Sequence, residues 1–208
     1  MFAPGAGRFL LAAAVVLLLV AVLVGLGVVP DRWVAIAVVA VAAALWAFFA
    51  VFFRDPERTA GEGVVSAADG RVRAVDREED RWRISVFMNV TDVHVNRLPV
   101  DAKVESIGDA GQGYRAAYRP DADHNVRRSY LLSTALGPVE VVQMTGVVAR
   151  RLVSFVRVGE SGRKGDRFGM IVLGSRVDVL LPVARASPSV KVGDRVRAGE
   201  TPIAREGP

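Results

Sequence analysis

Charge is divided along this chain so sharply that it dictates the architecture. Of its 208 residues, the first 53 are almost entirely apolar, and nearly all charge lies from Arg54 onward. Phe9–Val29 and Trp33–Phe53 are uncharged runs of 21 residues each, separated only by Pro30-Asp31-Arg32. At a rise of about 1.5 Å per residue, each run is long enough to cross a hydrocarbon core of roughly 30 Å. The three-residue break suits a tight hairpin, and Trp33, Trp46, Phe52 and Phe53 stand near the ends, where aromatic belts form. A cleaved signal sequence is the competing reading. The first run exceeds the usual apolar stretch of a signal, however, and a second span follows at once. Residues 1–53 are therefore expected to form a membrane hairpin with spans at about 9–29 and 33–53. Arg8, Arg54 and Arg58 flank its two ends, which places both ends, and residues 54–208, on the cytoplasmic side of the cell membrane.

The remaining 155 residues suffice for one domain with its own core. The net charge of +5 suits an anionic membrane or substrate. Nucleic acid is disfavoured, because no basic run is interleaved with aromatic residues. The chain has no cysteine, which excludes thiol nucleophiles, thiolate metal sites and disulfides. Its only histidines are His94 and His124, and no H-E-x-x-H spacing occurs, so metal-free chemistry is the expectation.

From Gly63 onward, short runs rich in Val, Ile, Phe and Tyr alternate with Gly, Pro, Asp and Asn. Strands are predicted at 71–75, 82–89, 103–107, 113–118, 129–135, 139–144, 152–158, 170–173 and 177–181. Residues 90–95 read either as a strand continuation or as a short helix capped by Thr91, and 146–151 as a helical turn. The fold class is mainly β (α+β), preceded by the two-helix hairpin. The closing segment 190–204 resembles the strand–turn–strand of biotinyl and lipoyl domains. No carrier lysine stands in the expected setting, so the likeness concerns fold and not carrier function.

The most informative stretch runs from Lys164 to Pro182. Gly174-Ser175 lies between two predicted strands and by itself is an ordinary turn dipeptide. A hydroxyl after glycine also permits one unusual reaction, attack of Oγ on the preceding, sterically open carbonyl. The amide becomes an ester, elimination leaves dehydroalanine, and hydrolysis leaves a pyruvoyl group at the new N-terminus.

Several segments, in order, resemble the phosphatidylserine decarboxylase family in its short, archaeal-type branch. They are Phe52-Phe53-Arg54-Asp55-Pro56-Glu57-Arg58, Ser66-Ala67-Ala68-Asp69-Gly70, and the run from Phe87 to Pro99 containing Asp92-Val93-His94-Val95-Asn96-Arg97. Gln143-Met144-Thr145-Gly146 through Arg150-Arg151 follows, and then Phe168-Gly169 with Leu173-Gly174-Ser175-Arg176-Val177-Asp178. The resemblance implies a proenzyme that cuts itself at Gly174–Ser175 into residues 1–174 and 175–208, a heterodimer from one chain. It implies a covalent pyruvoyl cofactor derived from Ser175, which forms a Schiff base with the amine of phosphatidylserine or a related serine lipid. Loss of carbon dioxide then gives phosphatidylethanolamine.

The resemblance assigns Asp69 to the self-cleavage apparatus, although Asp-Gly is also a turn signal. It assigns His94 to decarboxylation, where an imidazole can protonate the carbanion. It breaks at Arg97, where the longer bacterial branch carries a second histidine. Arginine is not a base at ordinary pH, so activation of Ser175 is open between His94 serving both steps and Asp69 acting directly. Arg97, Arg150 and Arg151 are candidate ligands for the substrate phosphate or carboxylate. The loop around His124 reads as polar surface. Two alternatives compete. One is a non-catalytic membrane adaptor built on a biotinyl-like β domain. The other is a pyruvoyl decarboxylase of free amino acids, which a membrane hairpin disfavours.

Overall fold

The structure is a computed structural model that describes residues 1–115, 124–147, 151–172 and 175–207, with Ser175 described by its backbone. Its contacts divide the chain into two compact units, Met1–Pro56 and Glu57–Pro208.

The first unit is a pair of helices, α1 (Gly7–Gly25) and α2 (Arg32–Phe52), both long and apolar enough to cross a membrane. Helix α1 stops four residues before the uncharged run does, because Gly27 adopts φ +72 and closes the helix. Val28 N–H donates to Leu23 C=O and Gly27 N–H to Val24 C=O, which satisfies two of the terminal carbonyls. Helix α2 starts at a cap in which Asp31 Oδ1 accepts from the N–H groups of Trp33 and Val34, at 2.8 and 3.0 Å. The open ends of the hairpin meet where Phe9 stacks on Phe53 at 5.3 Å and Ala3 N–H donates to Phe53 C=O.

Among the described residues, the second unit has fourteen strands. In chain order these are β1 (Val64–Val65), β2 (Gly70–Glu78), β3 (Arg81–Met88), β4 (Val95–Arg97), β5 (Ala102–Ala110), β6 (Arg127–Thr134) and β7 (Gly137–Thr145). Then come β8 (Arg151–Ser154), β9 (Ser161–Gly162), β10 (Arg167–Val172), β11 (Ser175–Pro182), β12 (Ala186–Pro188), β13 (Arg195–Val196) and β14 (Pro202–Glu206). An eight-stranded sheet has the order β13-β2-β3-β11-β7-β6-β5-β9, and two three-stranded sheets have the orders β4-β10-β8 and β1-β14-β12. The predicted mainly β unit after an apolar helical hairpin is thus what the chain forms.

Alternation explains the core. Val177, Val179 and Leu181 on β11 are fully buried together with Ile84, Val86 and Met88 on β3 and Val139 and Val141 on β7. Tyr130 packs edge-on against Phe168, with ring centroids 4.9 Å apart. The opposite side of β11 is also buried and carries Arg176 and Asp178, joined by a 2.8 Å ion pair. Burial pushes the Asp178 carboxyl up, an effect that Arg176, Ser85 and Arg83 partly offset. Bulges between Val72 and Ala74 and between Val104 and Ser106 disrupt pairing locally in β2 and β5, where such bulges bend strands.

Three local expectations are corrected. Gly113 forms only an isolated bridge to Asn125, not the start of a strand over 113–118, and residues 116–118 lie outside the described set. Residues 90–92 form a turn closed by Asp92 N–H to Asn89 C=O, so the strand begins only at Val95. The strand predicted at 152–158 ends at Ser154, whereas the closing segment does form β13, a turn and β14 in succession, with the two strands in different sheets. The turn predicted at 146–151 falls largely on residues outside the described set.

Candidate active site

The chain changes sheets at the predicted cut. Val172 ends β10, where it pairs with Arg151 of β8, and after only two intervening residues Ser175 begins β11 in the eight-stranded sheet. Those two residues, Leu173 and Gly174, lie outside the described set, as does Arg150. The Ser175 backbone is seated between Met88, the last residue of β3, and Thr145, the last residue of β7. Three strand ends therefore converge at the residue that the sequence marks for chemistry.

His94 is brought to the same place. It directly precedes β4, and its carbonyl accepts from Ile171 N–H at 3.3 Å, four residues before Ser175. The ring is completely buried, and Nδ1 lies 2.9 Å from the Asp92 carbonyl oxygen. A carbonyl can only accept, so Nδ1 carries the proton and a neutral ring presents its lone pair at Nε2. The turn that holds the ring is itself fixed. Asp92 Oδ2 accepts from Asn89 N–H at 2.8 Å, and Oδ1 accepts from Arg195 at 3.2 Å.

A buried amide network lies alongside. Tyr130 O–H donates to Gln143 Oε1 at 3.1 Å, Gln143 Nε2 donates to Asn96 Oδ1 at 2.7 Å, and Asn96 Nδ2 contacts Met88 Sδ at 3.7 Å. Burial pushes the Tyr130 phenol up, which keeps it a donor. Gly169 is needed here for space, because a Cβ would sit 2.8 Å from Gln143 Nε2 and from the Val153 carbonyl. Asn125 performs a similar service at the end of β7. It is completely buried, and its Nδ2 donates to the carbonyls of Thr145 and Arg115 while Oδ1 accepts from Arg115 N–H, each at 2.7 Å. The sequence reading assigned no role to Gln143, Asn96 or Asn125. Gln143 did carry a signal, since it shares strand parity with the buried Val139 and Val141, where a polar side chain must find a partner.

Asp69 takes a different position. Arg71 pairs with Phe87 and Phe87 with Arg176, so Asp69 lies toward the Ser175 end but two strand spacings away, roughly 10 Å. Both carboxylate oxygens are engaged. Arg58 donates to Oδ2 at 2.8 Å and also reaches Oδ1, and Ala198 N–H donates to Oδ1 at 2.8 Å. The next residue must be glycine: Gly70 has φ +145, and a Cβ there would fall on the Phe87 carbonyl oxygen. Arg97 belongs to this corner too. It is buried, its N–H donates to Ala67 C=O, and its guanidinium donates to Gly165 C=O at 2.9 Å. Arg151 is exposed at the start of β8, and His124 is exposed in a loop, as expected of polar surface.

The known proteins decide which chemistry this arrangement belongs to. Residues 45–204 match the family described as phosphatidylserine decarboxylase. The chain belongs to that family. A phosphatidylserine decarboxylase proenzyme of Thermobifida fusca is 43% identical over 188 residues, covering 89% of this chain and 84% of that protein. A protein of Halobacterium salinarum, named as an archaetidylserine decarboxylase proenzyme, is 46% identical over 169 residues, covering 79% and 84%. A phosphatidylserine decarboxylase proenzyme of Paraburkholderia phymatum is 38% identical over 207 residues, covering 94% and 92%. Membership makes the protein a carboxy-lyase. The family is one of decarboxylases.

Proposed function

We propose that the chain is a self-processing, pyruvoyl-dependent decarboxylase of serine phospholipids. The observation that carries this reading is the place of Ser175: the first residue of an inner strand, paired on both sides, three residues after the end of a strand in another sheet. Attack of the Ser175 hydroxyl on the Gly174 carbonyl exchanges the amide for an ester. Loss of the Ser175 α-proton then expels the Gly174 carboxylate, and water releases ammonia to leave the pyruvoyl carbonyl on residue 175.

Such a group fits the residues present. After the cut, β11 would still be held by eight paired positions on β3 and six on β7, so residues 175–208 stay in place as the small chain of a heterodimer. The pyruvoyl group supplies a carbonyl that condenses with the substrate amine and draws off the electron pair released with carbon dioxide. His94 has the tautomer to take up a proton at Nε2 and return it to the product carbon. Asp69 acts in processing by holding Arg58 against the Ala198 main chain, which ties the small chain to the large one. Exposed Arg151, with neighbouring Arg150, is assigned to the anionic headgroup, whereas buried Arg97 is assigned to the framework. The hairpin anchors the enzyme in the cell membrane, with the flanking arginines placing the catalytic unit on the cytoplasmic side.

Relatives are named for both phosphatidylserine and archaetidylserine, so both lipids should be offered to the purified full-length protein in mixed micelles. Carbon dioxide and the matching ethanolamine lipid are expected from at least one of them. The variant S175A is expected to yield neither, and turnover by S175A would overturn the reading.

A further inference from the structure

The loops around residue 175 carry an unusual surface. Five bulky apolar residues of the described part of Glu57–Pro208 are exposed: Val90, Tyr114, Val147, Val158 and Val192. The first three lie on separate loops, yet the strand register brings them to one end. Val90 is two residues beyond Met88, and Val147 two beyond Thr145; Met88 and Thr145 are the two partners of Ser175. Tyr114 lies between Gly113, which bridges to Asn125, and Arg115, whose N–H and C=O are bound by Asn125, the side chain that also binds Thr145 C=O. Exposed Arg115 follows Tyr114, and exposed Arg151 begins β8, where it pairs with Val172. The Asp92 carboxylate, by contrast, is buried and engaged by Asn89 N–H and Arg195.

An apolar tip with exposed arginines beside it fits the interface of an anionic bilayer, where valine and tyrosine enter the acyl boundary and guanidinium groups meet phosphate. Building on the serine-lipid decarboxylase reading, we propose that Val90, Tyr114 and Val147 form a membrane-contacting rim. Through it the catalytic unit sets the residue 175 end against the lipid headgroups, so that substrate reaches the site from within the bilayer. The commitment is to lipid, not protein, because exposed Arg115 and Arg151 stand beside the apolar residues and a serine lipid presents a phosphate and a carboxylate.

The absence of cysteine makes this directly testable on the full-length protein. Single variants V90C, Y114C and V147C, with V158C and V192C for comparison, are labelled with an environment-sensitive fluorophore. They are then reconstituted in vesicles of phosphatidylglycerol and phosphatidylcholine, with or without doxyl-labelled lipid. The rim labels are expected to shift to the blue and to be quenched by the doxyl lipid, while those at 158 and 192 remain water-like. In bilayers containing serine lipid, V147E is expected to lower turnover roughly tenfold through loss of apolar insertion, whereas V158E leaves it unchanged. Rim labels as water-exposed as the comparison labels, in protein that is processed and active, would overturn the docking surface and leave the decarboxylase reading standing. Shielding that depends on protein density and not on doxyl lipid would assign the rim to a second copy and equally overturn it. Protein that is neither cut nor active would instead remove the reading on which the proposal rests.

Discussion

The His94 and Asp69 corners are both buried, both polar and both at the residue 175 end of the large sheet, yet their bonding differs. Asp69 has both oxygens engaged by Arg58 and the Ala198 main chain. His94 Nδ1 donates to the Asp92 carbonyl, which fixes the tautomer of a neutral ring with the lone pair on Nε2. Burial thus accompanies two kinds of bonding. A carboxylate bound by a guanidinium and a main-chain donor holds two chain segments together. On the proposed reading, an imidazole oriented through one nitrogen moves a proton at the other.

If that contrast is correct, H94A should cost about 100-fold or more in turnover on processed protein, with thermal stability changed far less. Comparing processing with turnover in H94A would also sharpen the question of which step needs the ring. In contrast, D69A should destabilise the folded protein by about 3–5 kcal/mol, because it removes the carboxylate that balances Arg58, whose side chain is only 5% exposed. Replacing both partners by apolar residues (R58M together with D69L) should restore much of that loss in a denaturation experiment. A stable D69A that fails to cut itself would break the contrast and place Asp69 in the chemistry.

A smaller loss, about 1–3 kcal/mol, is expected for Q143A, which leaves the Tyr130 hydroxyl and the Asn96 carbonyl oxygen without the partner each now has. The smallest effect belongs to the exposed pair of Arg128 and Asp109. Its hydrogen bond to Arg128 holds the Asp109 carboxyl below its usual range. That contribution is present above the carboxylate's unfolded pKa and is lost as pH falls through its lower folded value. Because Asp109 is 61% exposed, D109N should cost less than about 1 kcal/mol at neutral pH and nothing in strong acid, which acid and neutral melts would check.

The hairpin was legible because an uncharged run of 21 residues has few other fates. Its exact ends were not, since they depend on φ at Gly27 and on the Asp31 cap. The long strands were legible from their β-branched runs, whereas β1, β9 and β13 have two residues each, too few to display a period. At the site, Ser175 and His94 came from the family resemblance, and Gln143 was readable from strand parity. The partnership of Asp69 with Ala198 spans 129 residues and that of Asn125 with Thr145 spans 20, so neither leaves a local pattern. The burial of Arg97 was equally hidden, because the carbonyl it binds lies 68 residues away.

The central claim is that the Gly174–Ser175 bond is spent to make the cofactor. Intact-mass analysis of the denatured full-length protein tests it most directly. The account predicts two chains, residues 1–174 and residues 175–208, the smaller bearing a blocked N-terminus whose mass rises on borohydride reduction. A single uncut chain in a preparation that decarboxylates serine lipid would contradict it.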